Sequence, residues 1–301
     1  MGFRNIKIDG HVKLQIKNQQ LLIDAGEEIQ IPLEDINCIL IENQTVTLSA
    51  YLLQKLADMG IALYVCDEKH LPNAVLLPMV RHSRHFKILK YQMEAAKPLQ
   101  KRLWQQIVIQ KIKNQALCLE LLGREGAKEL FAMCREVQSG DRTHVEAKAA
   151  AFYFKSMYGI GFSRGNDHII NSALNYGYAI VRGLIARSIV CYGLEPSIGV
   201  FHCSELNSYN LADDLIEPFR PLVDLYVSQH YDISEIDSVL TPEAKRGIFG
   251  IINFDMDVKG EKRIISNCVD MLAASYSSAL QERRTDLDLP ELIQLQVHRY
   301  E

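Results

Sequence analysis

Three residues with metal-binding side chains, Glu146, His202 and Glu217, stand in separate stretches of largely apolar, helix-like sequence. A carboxylate, an imidazole and a second carboxylate can hold Mg²⁺ or Mn²⁺ and leave coordination positions open for water and a phosphate oxygen. An open site of this kind supports the making and breaking of phosphodiester bonds. The three residue types therefore predict one divalent-metal centre for phosphodiester chemistry.

Glu146 and His202 also have purely structural interpretations. Glu146 closes the stretch 143–146, Thr-His-Val-Glu, which matches a capping box in which the glutamate only reaches back to a backbone N–H. The small residues that follow, 147–151, favour a functional role because they let another element approach closely. His202 could be a core histidine that bonds a backbone or hydroxyl group. Cys203 beside it does not indicate zinc, because adjacent residues point apart and no second cysteine has ligand spacing.

The third stretch contains several acids. Asp213, Asp214 and Glu217 fall in the first turns of a helix that Asn210 can cap, where acids interact favourably with the helix dipole without any further role. Asp214 and Glu217 are three residues apart and so project from one helix face. Arg220 continues that face, where it either orients the carboxylate of Glu217 or contacts a substrate phosphate.

A fourth segment, 171–178, opens a predicted helix with residues that disfavour helices. Asn175 and Gly177 are poor helix formers, and such local inconsistency marks function or close packing. Gly177 could admit a neighbouring helix, and Asn175 could bond a buried backbone group. Asn175 is also a candidate for supporting the metal ligands, as are Asp214 and Arg220.

The composition indicates a globular protein. With 301 residues, 48% of them hydrophobic, the chain can form two modest domains or one large one. No apolar run approaches the roughly 20 residues of a membrane-spanning helix, and the N-terminus has no signal-type segment, so we expect a cytoplasmic location. Seven cysteines without a C-x-x-C pair indicate core thiols.

The predicted fold is α+β and multidomain, with a small N-terminal β-rich domain at 1–80 and a larger all-helical catalytic domain at 81–301. Ser49 can cap a helix that ends at Gly60. Three- and four-residue spacing of apolar residues predicts three later helices, 99–122, 145–158 and 169–192. The polar segment from residue 286 onward is predicted to be a loosely held tail. Alternating patterns predict the strands 5–8, 12–17, 20–23, 28–32, 36–41, 62–66 and 74–77.

A basic stripe runs through the start of the helical part. Between Arg81 and Lys113 the sequence has nine positive residues and one acid, although the net charge of the chain is −4. Such a stripe either follows a phosphate backbone or is a solvated helix face with lysines over apolar neighbours. The residues predicted to bind DNA are Arg81, Arg84, Lys87, Lys90 and Lys101.

Taken together, these motifs closely resemble the CRISPR adaptation integrase family over nearly the whole chain. The resemblance rests on Glu146 at a helix start, on 171–178 preceded by Asp167, and on two longer motifs. These are Gly193-Leu194-x-Pro196-x-x-Gly199-x-x-His202 and Asp214-Leu215-x-Glu217-Pro218-x-Arg220-Pro221. The opening residues 1–4, the stretch 66–72 and the intervals between the three ligands look like the type II branch, whose loci also encode an RNA-guided effector nuclease.

The resemblance implies that Glu146, His202 and Glu217 bind Mg²⁺ or Mn²⁺, with Asp214 as a supporting residue or an alternative ligand. It further implies that a prespacer 3′-hydroxyl attacks a phosphodiester at the leader–repeat junction of a CRISPR array, with His202 as a ligand or as general acid. The implied assembly is a homodimer formed by the β domain. Two such dimers flank a dimer of a small partner subunit, and the effector nuclease is a candidate further partner.

Two other functions fit the same residues. One is a hydrolytic, metal-dependent DNase or junction-cleaving nuclease that uses water as the nucleophile. The other is a non-catalytic dimeric DNA-binding scaffold in which the acids are helix caps, and it predicts that metal chelation leaves every DNA activity unchanged.

Overall fold

The computed structural model describes residues 4–68, 72–78, 83–234 and 239–299. Arg81, one of the predicted DNA contacts, lies outside these ranges, as do residues 1–3 and 69–71 of the two N-terminal segments that carry the resemblance. Every other site residue predicted above is described. Within these ranges, no helix has the length and apolar character needed to cross a membrane.

The first part of the described chain is β-rich, as its alternating pattern predicts. Two four-stranded sheets form there, one in the order β1-β5-β7-β8 and one in the order β4-β3-β2-β6. In the first sheet β1, β5 and β7 are parallel and β8 is antiparallel to β7. The elements are β1 (Arg4–Ile8), β2 (Lys13–Lys17), β3 (Gln20–Asp24), β4 (Glu28–Pro32), β5 (Ile36–Ile41), β6 (Thr47–Leu48), α1 (Ala50–Met59), β7 (Ala62–Cys66) and β8 (Pro72–Leu76).

Helix α1 has the predicted bounds because both of its ends are capped. The hydroxyl of Ser49 accepts a hydrogen bond from the backbone N–H of Leu52 at 3.1 Å. At the other end Gly60 adopts a φ of 66°, the left-handed conformation that glycine takes at little cost.

The central strand β5 joins the β-rich part to the helices. All six of its residues are buried, and alternate residues belong to two different apolar clusters. Cys38 and Leu40 pack with the helices, whereas Ile39 and Ile41 pack with the other strands and α1. The two parts of the chain therefore meet at β5, which contributes residues to both clusters, and the domain boundary near residue 80 remains a prediction.

The rest of the described chain is mostly helical. The helices are α2 (His85–Met93), α3 (Lys97–Leu121), α4 (Ala127–Cys134), α5 (Val145–Tyr158), α6 (Ile169–Cys191), α7 (Asn210–Leu215), α8 (Arg220–His230), α9 (Pro242–Phe249) and α10 (Ile265–Glu282). A 3₁₀ turn, Glu217–Phe219, joins α7 to α8. The predicted helix 145–158 has the bounds of α5, and the other two predicted helices match α3 and α6 within two residues.

Two expectations for this part are wrong in detail. It is not all-helical, because β9 (Asp255–Val258) and β10 (Glu261–Ile264) form an antiparallel hairpin whose two-residue turn, Lys259 and Gly260, has positive φ angles. The segment after residue 286 is not a loose tail. Leu292 is buried, and the side chain of Asn114 accepts a hydrogen bond from the Leu292 N–H and donates one to the Pro290 carbonyl.

Asp224 on α8 is a buried acid of the helical core. Its carboxylate accepts a hydrogen bond from the Tyr153 hydroxyl at 3.0 Å and another from the Tyr178 hydroxyl. Burial raises the pKa of Asp224 to about 6, although the two hydroxyl groups stabilise the ionised form. Ionisation of this group therefore opposes folding at neutral pH.

We predict that Asp224→Asn removes this unfavourable effect of ionisation on the stability of the folded chain. Below about pH 4 the aspartate is protonated in the folded and the unfolded chain, whereas between about pH 4 and 6 only the unfolded chain has ionised it. The free energy of unfolding of the wild type should thus fall relative to the variant across this interval, by up to about 3 kcal/mol. Denaturant unfolding between pH 4 and 7 measures this, with the exposed acid variant Glu125→Gln as control. Parallel curves for wild type and Asp224→Asn would contradict the prediction.

Candidate metal centre

Helix α3 brings the two predicted glutamates to one place. It packs against α5, which begins beside Glu146, and against the 3₁₀ turn that carries Glu217. Lys111 on α3 is buried, and its ammonium contacts Oε1 of Glu146 and Oε2 of Glu217. Because two hydrogen-bond lengths add up to no more than about 6 Å, the two carboxylates are close enough to share one cation.

The start of α5 leaves the Glu146 side chain free for this contact. His144 before the helix has a φ of 52°, and Asp141 supplies the cap. The carboxylate of Asp141 accepts hydrogen bonds from the backbone N–H groups of Val145, at 2.9 Å, and Glu146, at 3.1 Å. The capping-box interpretation of residues 143–146 is therefore wrong.

Glu217 is held from both sides. The Nε of Arg220 donates to its Oε1 at 2.9 Å, which is a single bond and not a bidentate pair. Burial raises the pKa of Glu217, but Arg220 and Lys111 outweigh this and hold it at about 2. Glu217 is thus an anion at neutral pH. Asn114 on α3 fixes the turn by donating to the Pro218 carbonyl at 2.7 Å.

Asp214 fixes the loop that presents His202. Its carboxylate is fully buried and accepts hydrogen bonds from the backbone N–H groups of Val200, at 2.6 Å, and Phe201, at 2.9 Å. It also lies 2.6 Å from Nδ1 of His202. This hydrogen bond raises the pKa of His202, although burial opposes the shift. With its oxygens used in this way, Asp214 positions the imidazole, whose side chain is 46% exposed and is not a core histidine.

Two other residues shape the same loop. A Cβ at Gly199 would lie 2.2 Å from the His202 carbonyl oxygen, so only glycine fits there. Asn210 does not cap α7 as predicted; it is the first residue of the helix. Its side-chain amide instead donates to three loop carbonyls, those of Ser197, Ser204 and Asn207.

The donor set suits a divalent metal. In the described ranges no three His, Cys, Asp or Glu side chains are already arranged around one ion position. The structure instead places the Lys111 ammonium between two carboxylates, where its positive charge takes the place of a metal cation. The bond between Nδ1 of His202 and Asp214 leaves Nε2 as the ligand nitrogen, and a carboxylate-held histidine of this kind is a common metal ligand. Glu146 and Glu217 thus share one cation already, whereas among the described residues the only ion pair of His202 is with Asp214. The joint binding of Mg²⁺ or Mn²⁺ by Glu146, Glu217 and Nε2 of His202 stays a prediction.

For the segment 171–178, the structure confirms the close-packing alternative at Gly177. Gly177 admits a neighbouring helix, since an added Cβ would lie 2.5 Å from a side-chain carbon of Val223 on α8. Among the described residues, the Asn175 side chain forms no hydrogen bond to a backbone group or to a predicted ligand; its oxygen accepts a hydrogen bond from Arg164.

The basic stripe is divided between two helices and one interior site. Lys87 and Lys90 are exposed on α2, where Lys87 lies over the ring of Tyr91 and Lys90 is 3.8 Å from the carboxylate of Glu94. Arg84 precedes that helix, and Lys101 is exposed on α3. Lys111 does not belong to this surface because it is buried in the candidate metal centre, and Lys113 pairs with Glu291.

Sequence reasoning missed three residues of this centre: Lys111, Asn114 and Asp141. Lys111 follows Ile107 by four residues on the apolar face of α3, and a lysine in that place is a signal of a buried ion pair. Asp141 lies four residues before Val145, and the turn that brings its carboxylate to the helix start has positive φ angles at both Asp141 and His144.

Comparisons with known proteins identify the family of this chain. Residues 8–239 match the family model described as "CRISPR associated protein Cas1". The chain is 40% identical to the CRISPR-associated endonuclease Cas1 of Neisseria meningitidis serogroup C (strain 8013), with 100% of both chains covered.

Two solved structures have a similar fold. A casposase bound to an integration product has a TM-score of 0.76 at 20% identity, covering 96% of this chain and 93% of that one. A Cas6-RT-Cas1–Cas2 complex has a TM-score of 0.73 at 18% identity, covering 96% of this chain and 36% of that one. The family predicted from the motifs is thus confirmed, and this chain belongs to the Cas1 family of CRISPR-associated proteins.

Proposed function

We propose that this protein is a metal-dependent DNA endonuclease and integrase that inserts new spacers into a CRISPR array. The observation that carries the proposal is the meeting of Glu146 and Glu217 at one buried cation, with His202 held by Asp214 on the loop before α7. Two comparisons support it: the relative at 40% identity is named an endonuclease, and the casposase is bound to an integration product.

In the proposed reaction a 3′-hydroxyl of the incoming DNA attacks a phosphodiester of the array, and the 3′-oxygen of the cleaved strand leaves. Glu146, Glu217 and Nε2 of His202 would hold Mg²⁺ or Mn²⁺. The bound ion would stabilise charge on the scissile phosphate and favour ionisation of the attacking hydroxyl. One phosphodiester forms as another breaks, so the residues act mainly by positioning and charge neutralisation. If His202 is not a ligand, its raised pKa suits proton donation to the leaving oxygen.

A hydrolytic nuclease would use the same residues, with water in place of the 3′-hydroxyl. The products distinguish the two reactions because integration joins two DNA molecules covalently into a branched product, whereas hydrolysis only shortens strands. We expect branched products with a DNA that carries a leader–repeat junction.

We predict that Glu146→Gln, His202→Ala and Glu217→Gln each abolish strand transfer and weaken Mn²⁺ binding. Glutamine is chosen at Glu217 because its side-chain oxygen can still accept a hydrogen bond from Arg220 or Lys111, whereas alanine would remove the acceptor altogether. Asp214→Ala should cost about 10- to 100-fold in metal affinity or activity, as expected for a residue that positions a ligand.

Gel analysis of joined DNA and calorimetric titration with Mn²⁺ measure these effects. The matched control is Glu205→Gln, an exposed acid on the same loop as His202. Strand transfer at the wild-type level by two of the three ligand variants would refute the assignment of the site. A larger defect in Asp214→Ala than in Glu217→Gln would reverse the roles of these two acids.

We also propose that the chain forms a homodimer through its β-rich part and assembles with a small partner subunit. Strand β4 lies at the edge of its sheet, and its Ile29 is 51% exposed. An edge strand offers unpaired backbone N–H and C=O groups to a second chain. The partner subunit is supported by the similar chain found in a Cas6-RT-Cas1–Cas2 complex.

For the dimer we predict that Ile29→Asp weakens self-association at least about tenfold, because a charge would be buried at the contact. Sedimentation equilibrium measures the dissociation constant. Val297→Asp alters a similarly exposed apolar residue of the helical part, 57% exposed, and should leave association unchanged. Dissociation caused by Val297→Asp and not by Ile29→Asp would place the contact elsewhere.

The exposed lysines of α2 are proposed to hold the DNA backbone. If Lys87 and Lys90 each contact a phosphate, Lys87→Ala/Lys90→Ala should lower the slope of log affinity against log salt by about two, equally for all DNA sequences. Affinity is measured by fluorescence anisotropy at several salt concentrations. The double variant Lys13→Ala/Lys17→Ala removes two exposed lysines of β2 and serves as control. An unchanged slope for the α2 variant would identify the stripe as a solvated helix face.

A further inference from the structure

A cavity of about 200 Å³ lies beside Glu217, and none of the described residues assigned a DNA contact above lines it. Five charged residues and one tyrosine are among those that line it: Lys111, Arg164, Glu217, Arg220, Asp224 and Tyr178. It is smaller than the roughly 300–1,000 Å³ of typical small-molecule pockets. Its size therefore suits a single chemical group of a larger ligand.

Arg164 is fixed at this cavity by two asparagines. Its Nη1 donates to the side-chain oxygen of Asn171, and its Nη2 donates to that of Asn175 at 2.8 Å. The amide nitrogen of Asn171 in turn donates to the carbonyls of Ser163 and Asn166, both at 2.8 Å. The two asparagines thus tie the loop before α6 to the first turns of that helix. They hold the guanidinium in one orientation, and this role accounts for the asparagines of the segment 171–178.

The Arg164 guanidinium keeps donors for a ligand. Only two of its five N–H groups are used by the asparagines, so three remain. Arg220 uses its Nε for Glu217, and in the described part of the chain its two terminal nitrogens have no hydrogen-bond partner. Both guanidinium groups lie over the ring of Tyr178, at 5.4 Å for Arg164 and 4.6 Å for Arg220.

The two acids of the cavity already have ion-pair or hydrogen-bond partners. Glu217 pairs with Lys111 and Arg220, and the carboxylate of Asp224 accepts hydrogen bonds from Tyr153 and Tyr178. Arg164 has no carboxylate within hydrogen-bond distance among the described residues. A guanidinium held rigidly beside a second one, without its own anion, is suited to bind a phosphate group through a fork of N–H donors.

We propose that this cavity binds a backbone phosphate of the DNA next to the scissile phosphate. Arg164 and Arg220 supply the hydrogen-bond donors, and Asn171 and Asn175 position Arg164. The inference rests on the proposed function, since it assumes that DNA lies across Glu217. It adds a second phosphate contact, which would fix the direction of the strand relative to the metal centre.

The test combines neutral DNA with protein variants. Methylphosphonate linkages replace, one at a time, the phosphates within three nucleotides on either side of the scissile one. For the wild type we expect one position at which the neutral linkage lowers strand transfer about 10- to 100-fold. Arg164→Ala should lower strand transfer of unmodified DNA by a similar factor, and the neutral linkage should then cost that variant less than about threefold, because both changes remove one contact.

Three further variants make the result specific. Asn175→Ala should show the same loss of sensitivity at that position to a smaller degree. Arg135→Ala removes an exposed arginine that does not line the cavity, and it should keep the wild-type profile. Arg164→Lys retains the positive charge without the forked pair of N–H donors. It replaces Arg164→Ala if thermal melting shows that the alanine variant does not fold.

The same DNAs are also tested for binding in Mn²⁺, without strand transfer. If the neutral linkage and the Arg164 variant lower DNA affinity non-additively at one phosphate, but the protein never joins DNA, the phosphate site stands and the integrase proposal is refuted. If the protein performs strand transfer, but the Arg164 variant is as sensitive as the wild type to the neutral linkage at every position, the phosphate site is overturned and the integrase proposal stands. Coupling at the scissile phosphate itself would also overturn it, because Arg164 would then belong to the metal centre.

Discussion

The ion-pair cluster of Lys111 with Glu146 and Glu217 is the interaction on which the rest of this structure depends. Charged groups away from water are stable only when they are paired, and breaking such a pair costs about 3–5 kcal/mol. That is a large part of the roughly 5–15 kcal/mol by which a protein is stable. Helix α3, the start of α5 and the turn Glu217–Phe219 must therefore stay together unless another cation takes the place of the ammonium. A divalent metal is such a cation.

The surrounding hydrogen bonds serve the same cluster through the backbone. Asp141 holds the first N–H groups of α5, so Glu146 can turn to Lys111. Asn114, one turn after Lys111 on α3, binds both the Pro218 carbonyl and the segment at Pro290 and Leu292. The C-terminal segment is thus connected through one amide to the turn that carries Glu217. Asp214 likewise accepts hydrogen bonds from the backbone of the His202 loop, as Asp141 does at the start of α5, and it also bonds the His202 ring.

The sequence predicted the elements whose determinants are local. Helix α1 could be bounded from Ser49 and Gly60, and α5 from its apolar spacing and Gly159, because caps and periodicity act within a few residues. The three ligand candidates followed from residue types in distinctive motifs. What failed depends on distant contacts. Lys111 was counted as surface charge, since no local pattern shows that two glutamates 35 and 106 positions later reach it.

Two other failures have the same physical origin. The segment after residue 286 buries Leu287 and Leu292, and it is also held by the buried Asn114 and by bridges to Phe254 and to the hairpin strand β9. The hairpin itself, 255–264, has a turn signal in Lys259 and Gly260, but its short strands alternate too few residues to be recognised. Asn175 was rightly seen as unusual, yet only the structure shows that it holds Arg164 together with Asn171.

The most direct test of this account is a crystal structure of the protein with Mn²⁺, with data collected at a wavelength that gives the metal an anomalous signal. The account predicts one peak of anomalous density bounded by Glu146, Glu217 and Nε2 of His202, with the Lys111 ammonium moved away from the two carboxylates. A fully occupied Mn²⁺ at other residues, or Lys111 still between the glutamates at saturating Mn²⁺, would contradict it.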